Sequence, residues 1–204
     1  MSSLPPGVAL APKRQRGRDR VAAILEAATA LFAEKSYEAA TMTEVALRSG
    51  TAIGSLYRFF PTKEVLAVAL LERYGERLLH ALDRLIDRDP PLSVADAAAG
   101  LLEIVRCLRT ERSVVLSLID SGIAWQAGTG TLRTALIGRM GGLLSRLGGS
   151  PGAHDERAVI LLHLVKAIFA LPQDGPGPQS AGDVEAEAVL RLYLEHSARS
   201  APHG

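Results

Sequence analysis

Three polar side chains with different chemistry stand close together in the first third of the chain: Tyr57, Arg58 and Lys63. Arg58 has a planar guanidinium whose fork of donors can make a bidentate contact with the edge of a nucleic-acid base. A phenol and an ammonium suit phosphate oxygens instead, and such contacts position a protein without reading a base sequence. These residue types therefore predict contact with a nucleic acid.

Patterns typical of catalysis or of metal binding are not found in the sequence. There is no phosphate-binding glycine loop, no dinucleotide-binding glycine motif and no H-E-x-x-H zinc motif. The single cysteine, Cys107, excludes an intramolecular disulfide and a cysteine zinc cluster, and it fits a reducing cytoplasm. We therefore expect neither an enzyme nor a bound cofactor or metal.

The stretch that carries these side chains has the pattern of two short helices joined by a sharp turn. Thr41 or Thr43 can cap a first helix that has Glu44 in its first turn. Ala46 is small enough to let a second helix cross closely, and Gly50 can take the left-handed conformation that ends the first helix. This is the pattern of a helix-turn-helix.

In such a motif the N-terminal part of the second helix faces the base edges of the major groove. The residues there are small apart from Ile53, so the backbone could approach closely, and Ile53 could touch a thymine methyl group. The predicted DNA-contacting residues are Thr41, Thr43, Thr51, Ala52, Ile53, Gly54, Ser55, Tyr57, Arg58 and Lys63.

Hydrophobic periodicity predicts an all-α chain in three parts. We expect a flexible basic leader over residues 1–17, a three-helix helix-turn-helix domain over 18–64 and a helical effector-binding and dimerisation domain over 65–204. Thr62 is the expected N-cap of a long helix that ends before Asp89 and two prolines. The expected helices are 18–34, 43–49, 52–59, 62–87, 93–109, 113–126, 132–147, 154–171 and 183–199.

The composition is that of a globular protein, with 48% hydrophobic and 22% charged residues. The net charge is only +1, yet basic residues are concentrated near the N-terminus at Lys13, Arg14, Arg16, Arg18 and Arg20. No apolar segment precedes them, and the longest apolar stretch, 158–171, is interrupted by His163 and Lys166. The sequence therefore predicts neither a signal peptide nor a membrane span, and a cytoplasmic location.

The run GTAIGSLYRFFPTKE from Gly50 to Glu64 resembles the signature of the tetracycline-repressor (TetR) family of bacterial regulators. The matching positions are Gly50, Gly54, Ser55, Leu56, Tyr57, Phe60, Thr62 and Lys63. The resemblance covers about residues 18–66 and implies a homodimer on a palindromic operator, usually a repressor that a small molecule releases. Thr51, Ile53 and Phe59 depart from the family pattern, so it does not indicate the operator sequence.

A two-fold dimer would present two recognition helices about 34–36 Å apart, which matches successive major grooves. We expect the helix that begins at His154 and the last helix to form an intersubunit four-helix bundle. The residues of the last helix proposed for it are Val184, Leu190, Tyr193 and Leu194.

An effector site is expected among the middle helices, over residues 93–147. Its candidate residues are Cys107, Asp120, Trp125, Gln126 and Met140. With 4% aromatic residues the chain favours an aliphatic pocket for a lipid-like or small apolar effector over one that stacks planar cations. The alternative to a DNA-binding regulator is a helical interaction module whose basic arm serves a protein or membrane surface.

Overall fold

The computed structural model describes residues 13–121, 129–149, 154–170 and 181–199, and within these ranges all regular structure is α-helical. The predicted all-α fold is confirmed. The helices are α1 (Lys13–Lys35), α2 (Met42–Arg48), α3 (Ile53–Phe59), α4 (Lys63–Ile86), α5 (Val94–Cys107), α6 (Arg109–Asp120), α7 (Thr129–Arg146), α8 (His154–Ala170) and α9 (Ala181–Arg199). They fall into two compact units, residues 1–70 and 71–204.

The first unit packs α1, α2, α3 and the start of α4 around one small core. Ile24, Ala28 and Phe32 recur at the spacing of one helix face and are buried together with Leu56 and Leu66. The ring of Phe32 meets that of Tyr37 edge to face, with 5.3 Å between the ring centroids. Burial of this apolar stripe holds the two short helices against α1.

Helix α1 begins at Lys13, so residues 13–17, which were expected in the flexible leader, are helical. Lysine, arginine and glutamine have high helix propensity, and Gln15 Nε2 donates a hydrogen bond to Asp19 Oδ1 at 2.8 Å one turn further on. The apolar pattern begins only at Val21 and could not reveal this polar first part. Residues 1–12 lie outside the described residues.

The second unit is a helical body in which α5 packs against α9 and α7 packs against α8. Helix α5 lies so close to the end of α4 that a Cβ at Gly100 would overlap the side chain of Leu85. Ion pairs join further helices: Arg139 of α7 binds both carboxylate oxygens of Asp83 of α4, at 3.0 and 3.1 Å. None of the described helices is both long and apolar enough to cross a membrane.

Helix boundaries in the middle of the chain differ from the prediction. Helix α6 begins at Arg109 rather than Ser113, and Leu108 alone separates it from α5. No glycine or proline stands there to mark the break, so the sequence pattern placed it too late. Gly130, predicted to separate helices, lies within the first turn of α7 because a single glycine weakens a helix without ending it.

Candidate nucleic-acid interface

The first helix of the pair, α2, is capped by Thr41, one of the two residues predicted for this role. The Glu44 N–H donates to Thr41 Oγ1 at 3.3 Å, and the Thr41 N–H donates back to Glu44 Oε2 at 2.9 Å, which completes a capping box. Glu44 also pairs with Lys35 at the end of α1. Thr43 is not the cap and is exposed in the first turn of α2.

Several interactions stabilise the ionised form of Glu44 and tie α2 to α1. Hydrogen bonds from Lys35, then from the Thr41 hydroxyl and the Thr41 backbone, lower the pKa of Glu44 to about 2. Arg48 makes a second link between the helices, with its two terminal nitrogens each 2.6 Å from an oxygen of Glu34. The orientation of α2 is thus fixed by polar contacts at both of its ends.

The turn between α2 and α3 depends on Gly50. Its φ of +62° lies in the left-handed region that favours glycine. The Gly50 N–H donates to Leu47 O at 3.2 Å and the Thr51 N–H donates to Ala46 O at 2.9 Å. These are the two hydrogen bonds of a Schellman motif, and they turn the chain directly into α3.

Helix α3 presents an exposed face that contains most of the predicted contact residues. Ala52, Ile53, Gly54, Tyr57 and Arg58 are exposed. A side chain that reads a base must reach out of its own domain, and those of Ile53, Tyr57 and Arg58 can do so. The face combines small residues, one aliphatic chain, one phenol and one guanidinium.

Two of the predicted contact residues, Thr51 and Ser55, are less exposed than the others at α3. Thr51 is only 8% exposed, and its N–H closes the turn before α3. A base contact from Thr51 stays a prediction. Ser55 is half-buried, and its hydroxyl oxygen has no hydrogen-bond partner among the described residues.

Lys63, predicted as a phosphate anchor, turns its ammonium into the fold. Nζ donates to the carbonyl oxygens of Tyr37, Glu38 and Ala40 at 3.0, 3.2 and 3.1 Å. It also lies 4.4 Å from the centroid of the Tyr37 ring. An ammonium has three N–H donors, and these three carbonyls account for all of them in this structure. The phosphate contact of Lys63 stays a prediction.

The segment that Lys63 holds is the irregular stretch between α1 and α2. It begins at Ser36, whose φ of +74° is unusual for a residue with a side chain. Burial raises the pKa of Tyr37 to about 12, and the neighbouring carboxylate of Glu64 acts in the same direction. Lys63 therefore fixes the entry to α2, a role that sequence spacing alone could not reveal because the partners are backbone carbonyls.

A second candidate site is a cavity of about 630 Å³ in the second unit. Of the predicted effector residues, Met140 lines this cavity. Cys107 and Asp120 are exposed and are not among its lining residues, and Trp125 and Gln126 lie outside the described residues. The prediction missed the lining residues that come from α4 and α8, above all Tyr74 and Lys166. The sequence contained a signal for Lys166, because it is a lysine inside the apolar stretch 158–171.

The residues of α9 proposed for a dimer bundle divide into two groups. Leu190 and Leu194 are buried within the chain itself, and the Tyr193 hydroxyl donates to Arg157 O of α8 at 2.9 Å. Val184 is exposed. Other large apolar side chains left exposed on α8 and α9 are Ile160, Val189 and Leu192.

A capped helix, a left-handed glycine turn and a second helix with an exposed face form a helix-turn-helix, the arrangement that places a recognition helix in the DNA major groove. The fold and this site define the class of the protein as a helix-turn-helix protein with a helical body.

Comparison with known proteins makes the assignment more specific. Residues 24–70 match the family of bacterial regulatory proteins of tetR type. For this N-terminal segment, the match confirms the resemblance seen in the sequence.

Two curated relatives each match less than half of the chain. It is 43% identical over 67 residues to the HTH-type transcriptional repressor KstR of Mycolicibacterium smegmatis, a stretch that spans 33% of each protein. It is 38% identical over 87 residues to the HTH-type transcriptional repressor Rv3405c of Mycobacterium tuberculosis, which covers 42% of this chain and 44% of the relative. The matches thus span less than half the length of these relatives.

The structural likeness extends further along the chain. A transcriptional regulator from Rhodococcus sp. RHA1 superimposes with a TM-score of 0.67 over 89% of this chain and 97% of its own, at 23% identity. At this level of identity the likeness shows that the helical body shares the fold of such regulators.

Proposed function

We propose that the protein is a sequence-specific DNA-binding transcription regulator, acting as a repressor that a small molecule releases from its operator. The observation that carries the proposal is the exposed face of α3, directly after the Schellman turn at Gly50. The family match over residues 24–70 contains this face, and the two curated relatives are HTH-type transcriptional repressors, which favours DNA binding over a helical interaction module. Its place of action would be the cytoplasm, and we assign it no catalytic role.

On DNA, we assign base recognition to the N-terminal part of α3 and to Arg58. Arg58 is exposed and has the donors for a bidentate contact with guanine, while exposed Ile53 suits a thymine methyl group. Tyr57, 46% exposed, is placed to donate to a phosphate. Thr43 lies on the exposed side of α2 and is assigned a phosphate contact, and Ser55 keeps a hydroxyl without a partner among the described residues.

The protein would bind its palindromic operator as a homodimer. Ile160 of α8 and Val189 and Leu192 of α9 leave apolar side chains uncovered on two helices that pack against each other. A second copy could bury them in a symmetric interface of four helices. A dimer would then present two recognition helices to one face of the duplex.

Release by an effector is assigned to the cavity of the second unit. Helix α4 contributes eight residues to its wall, among them Leu71, Tyr74, Leu78 and Leu82. The same helix begins at Lys63, directly after the helix-turn-helix. A ligand that binds one conformation of the cavity better than another would act on DNA affinity through a shift of α4.

A gel-shift titration with DNA from upstream of the gene tests the proposal. We expect retardation of a palindromic fragment, with an affinity that falls steeply as salt is raised. Arg58→Ala should lower the affinity and relax base preference, whereas Arg191→Ala, at an exposed position of α9, should change neither. Failure to retard any upstream fragment at low salt would refute the proposal.

A further inference from the structure

The cavity of the second unit has a mostly aliphatic wall. Leucines of α4 and α5, Val115 of α6, Leu136 of α7 and Val165 of α8 contribute to it. A volume of about 630 Å³ is in the range of sites that enclose a small organic ligand. The wall alone would favour an uncharged apolar molecule.

Cationic side chains from three helices nevertheless line the same cavity: Arg112 of α6, Arg133 of α7 and Lys166 of α8. Burial lowers the pKa of Lys166, and repulsion from Arg133 and Arg112 acts in the same direction. The carboxylates on the lining, Glu72 and Glu76 of α4, are both exposed. The cations therefore repel one another across a space that an anion could occupy.

Two buried polar atoms of the cavity wall lack a hydrogen-bond partner among the described residues: the Tyr74 hydroxyl and Arg112 Nε. Tyr74 is only 5% exposed. Burial raises its pKa, Arg112 acts in the opposite direction and the Glu111 carboxylate raises it further, so the hydroxyl stays protonated and can donate a hydrogen bond. Buried polar groups in folded proteins are normally paired, and two donors on one wall call for a ligand with acceptor oxygens.

The guanidinium of Arg112 is also held in place by an aromatic ring. Its central carbon lies 4.3 Å from the centroid of the Phe169 ring. Stacking of this kind orients the plane of the guanidinium and leaves its donor edge available to a carboxylate. Arg112 is thus oriented before any ligand binds.

We infer that this cavity binds an anionic amphiphile, with its apolar body along the leucine-rich wall and its carboxylate at Tyr74 and Arg112, near Lys166. The inference rests on the proposed function for the role of the ligand as effector, but the ligand class follows from the cavity itself. A planar cation or an uncharged apolar chain would leave the donors of Tyr74 and Arg112 without an acceptor, and the positive charges that line the cavity without a counter-charge.

Three probes with the same chain and different head groups test the inference: decanoate, decan-1-ol and decylammonium. Each is titrated into the full-length protein without DNA, with binding measured by calorimetry. We expect decanoate to bind roughly ten-fold more tightly than decan-1-ol, as for one charged hydrogen bond, and decylammonium to bind most weakly. Equal affinity for decanoate and decan-1-ol, preference for decylammonium, or no binding of decanoate would each overturn the inference.

Arg112→Gln and Tyr74→Phe should reduce the preference for decanoate over decan-1-ol. Arg109→Gln, on the same helix but outside the cavity lining, should retain it. If Arg112→Gln does not fold, Lys166→Gln at a half-exposed position provides the same comparison. A preference unchanged in Tyr74→Phe and in the folded cation variants would refute the assigned head-group site.

The two proposals can fail separately. A gel shift with the same preparation reports DNA binding without any ligand. Retardation of DNA together with no preference for decanoate would overturn only the ligand class. A clear preference for decanoate in a protein that retards no DNA would support the ligand class and refute the proposed function.

Discussion

At the scale of single residues, Lys63 stabilises the fold, although the sequence predicts that it contacts a DNA phosphate. Its ammonium donates to three backbone carbonyls of the irregular segment after α1. Because these carbonyls precede α2, Lys63 determines where the helix-turn-helix begins. Lys63 would then contribute to DNA binding by positioning the helix-turn-helix.

Replacing Lys63 by methionine should therefore destabilise the protein. We expect the free energy of unfolding in urea to fall by roughly 1–3 kcal/mol, from the loss of charged hydrogen bonds and of the contact with the Tyr37 ring. Lys35→Met, which removes only an exposed ion pair with Glu44, should have a clearly smaller effect. Unchanged stability of Lys63→Met with loss of DNA binding would restore its predicted role as a phosphate anchor.

Glu44 makes the stability of the first unit depend on pH. Its pKa is lowered from the ordinary value of 4.5 to about 2, so its stabilising effect is complete above 4.5 and is lost as the pH falls towards 2. The difference in free energy of unfolding between wild type and Glu44→Gln should thus be greatest at pH 7 and shrink over that window. Glu185→Gln, an exposed position of α9, controls for loss of a surface charge; an equal difference at pH 7 and pH 2 would contradict the assignment.

At the scale of elements, two glycines of the helix-turn-helix have opposite roles. Gly50 has a left-handed backbone at the end of α2, while Gly54 lies inside α3 without a positive φ. A Cβ would meet nothing within 4 Å at either position. An alanine at either position would therefore change stability only through the backbone. An alanine at position 54 would affect DNA binding only through contact between its methyl group and the DNA.

Alanine substitutions at these two positions should separate stability from DNA binding. Gly50→Ala should lower the free energy of unfolding by roughly 1–2 kcal/mol because alanine resists the left-handed conformation. Gly54→Ala should raise it by roughly 0.5–1 kcal/mol but weaken operator binding, since its methyl group would face the DNA. Thermal unfolding and gel shifts measure the two effects, and full operator affinity in Gly54→Ala would argue against close approach at this position.

At the scale of the whole molecule, the proposed regulator requires a second copy. Leu192 is a large apolar residue that is 64% exposed on α9, and Val184 and Val189 of the same helix are exposed as well. A glutamate there would place a charge within the proposed symmetric interface and face its own counterpart.

Leu192→Glu should therefore convert a dimer into a monomer and lower the affinity for a palindromic operator. Light scattering coupled to size exclusion measures the mass. Leu47→Glu serves as the matched control because Leu47 is 82% exposed in α2, in the first unit, and should leave the mass unchanged. A dimeric Leu192→Glu variant would place the interface elsewhere.

The sequence by itself determined the helical architecture and the location of the helix-turn-helix. Apolar periodicity, the Thr41 and Thr62 caps and the glycine at the turn are local signals, because a helix is built from contacts between residues near in sequence. Helix ends without such signals, at Lys13 and Arg109, were misplaced.

Only the tertiary structure decided which polar side chains remain available for a ligand. Lys63 turns inward to carbonyls more than twenty positions earlier in the chain, and Thr51 is buried while its neighbours Ala52 and Ile53 are exposed. In the second unit, Tyr74, Arg112 and Lys166 meet at one cavity although they stand on three different helices. Such placements depend on contacts between distant parts of the chain, and a periodic pattern of single residues carries no information about them.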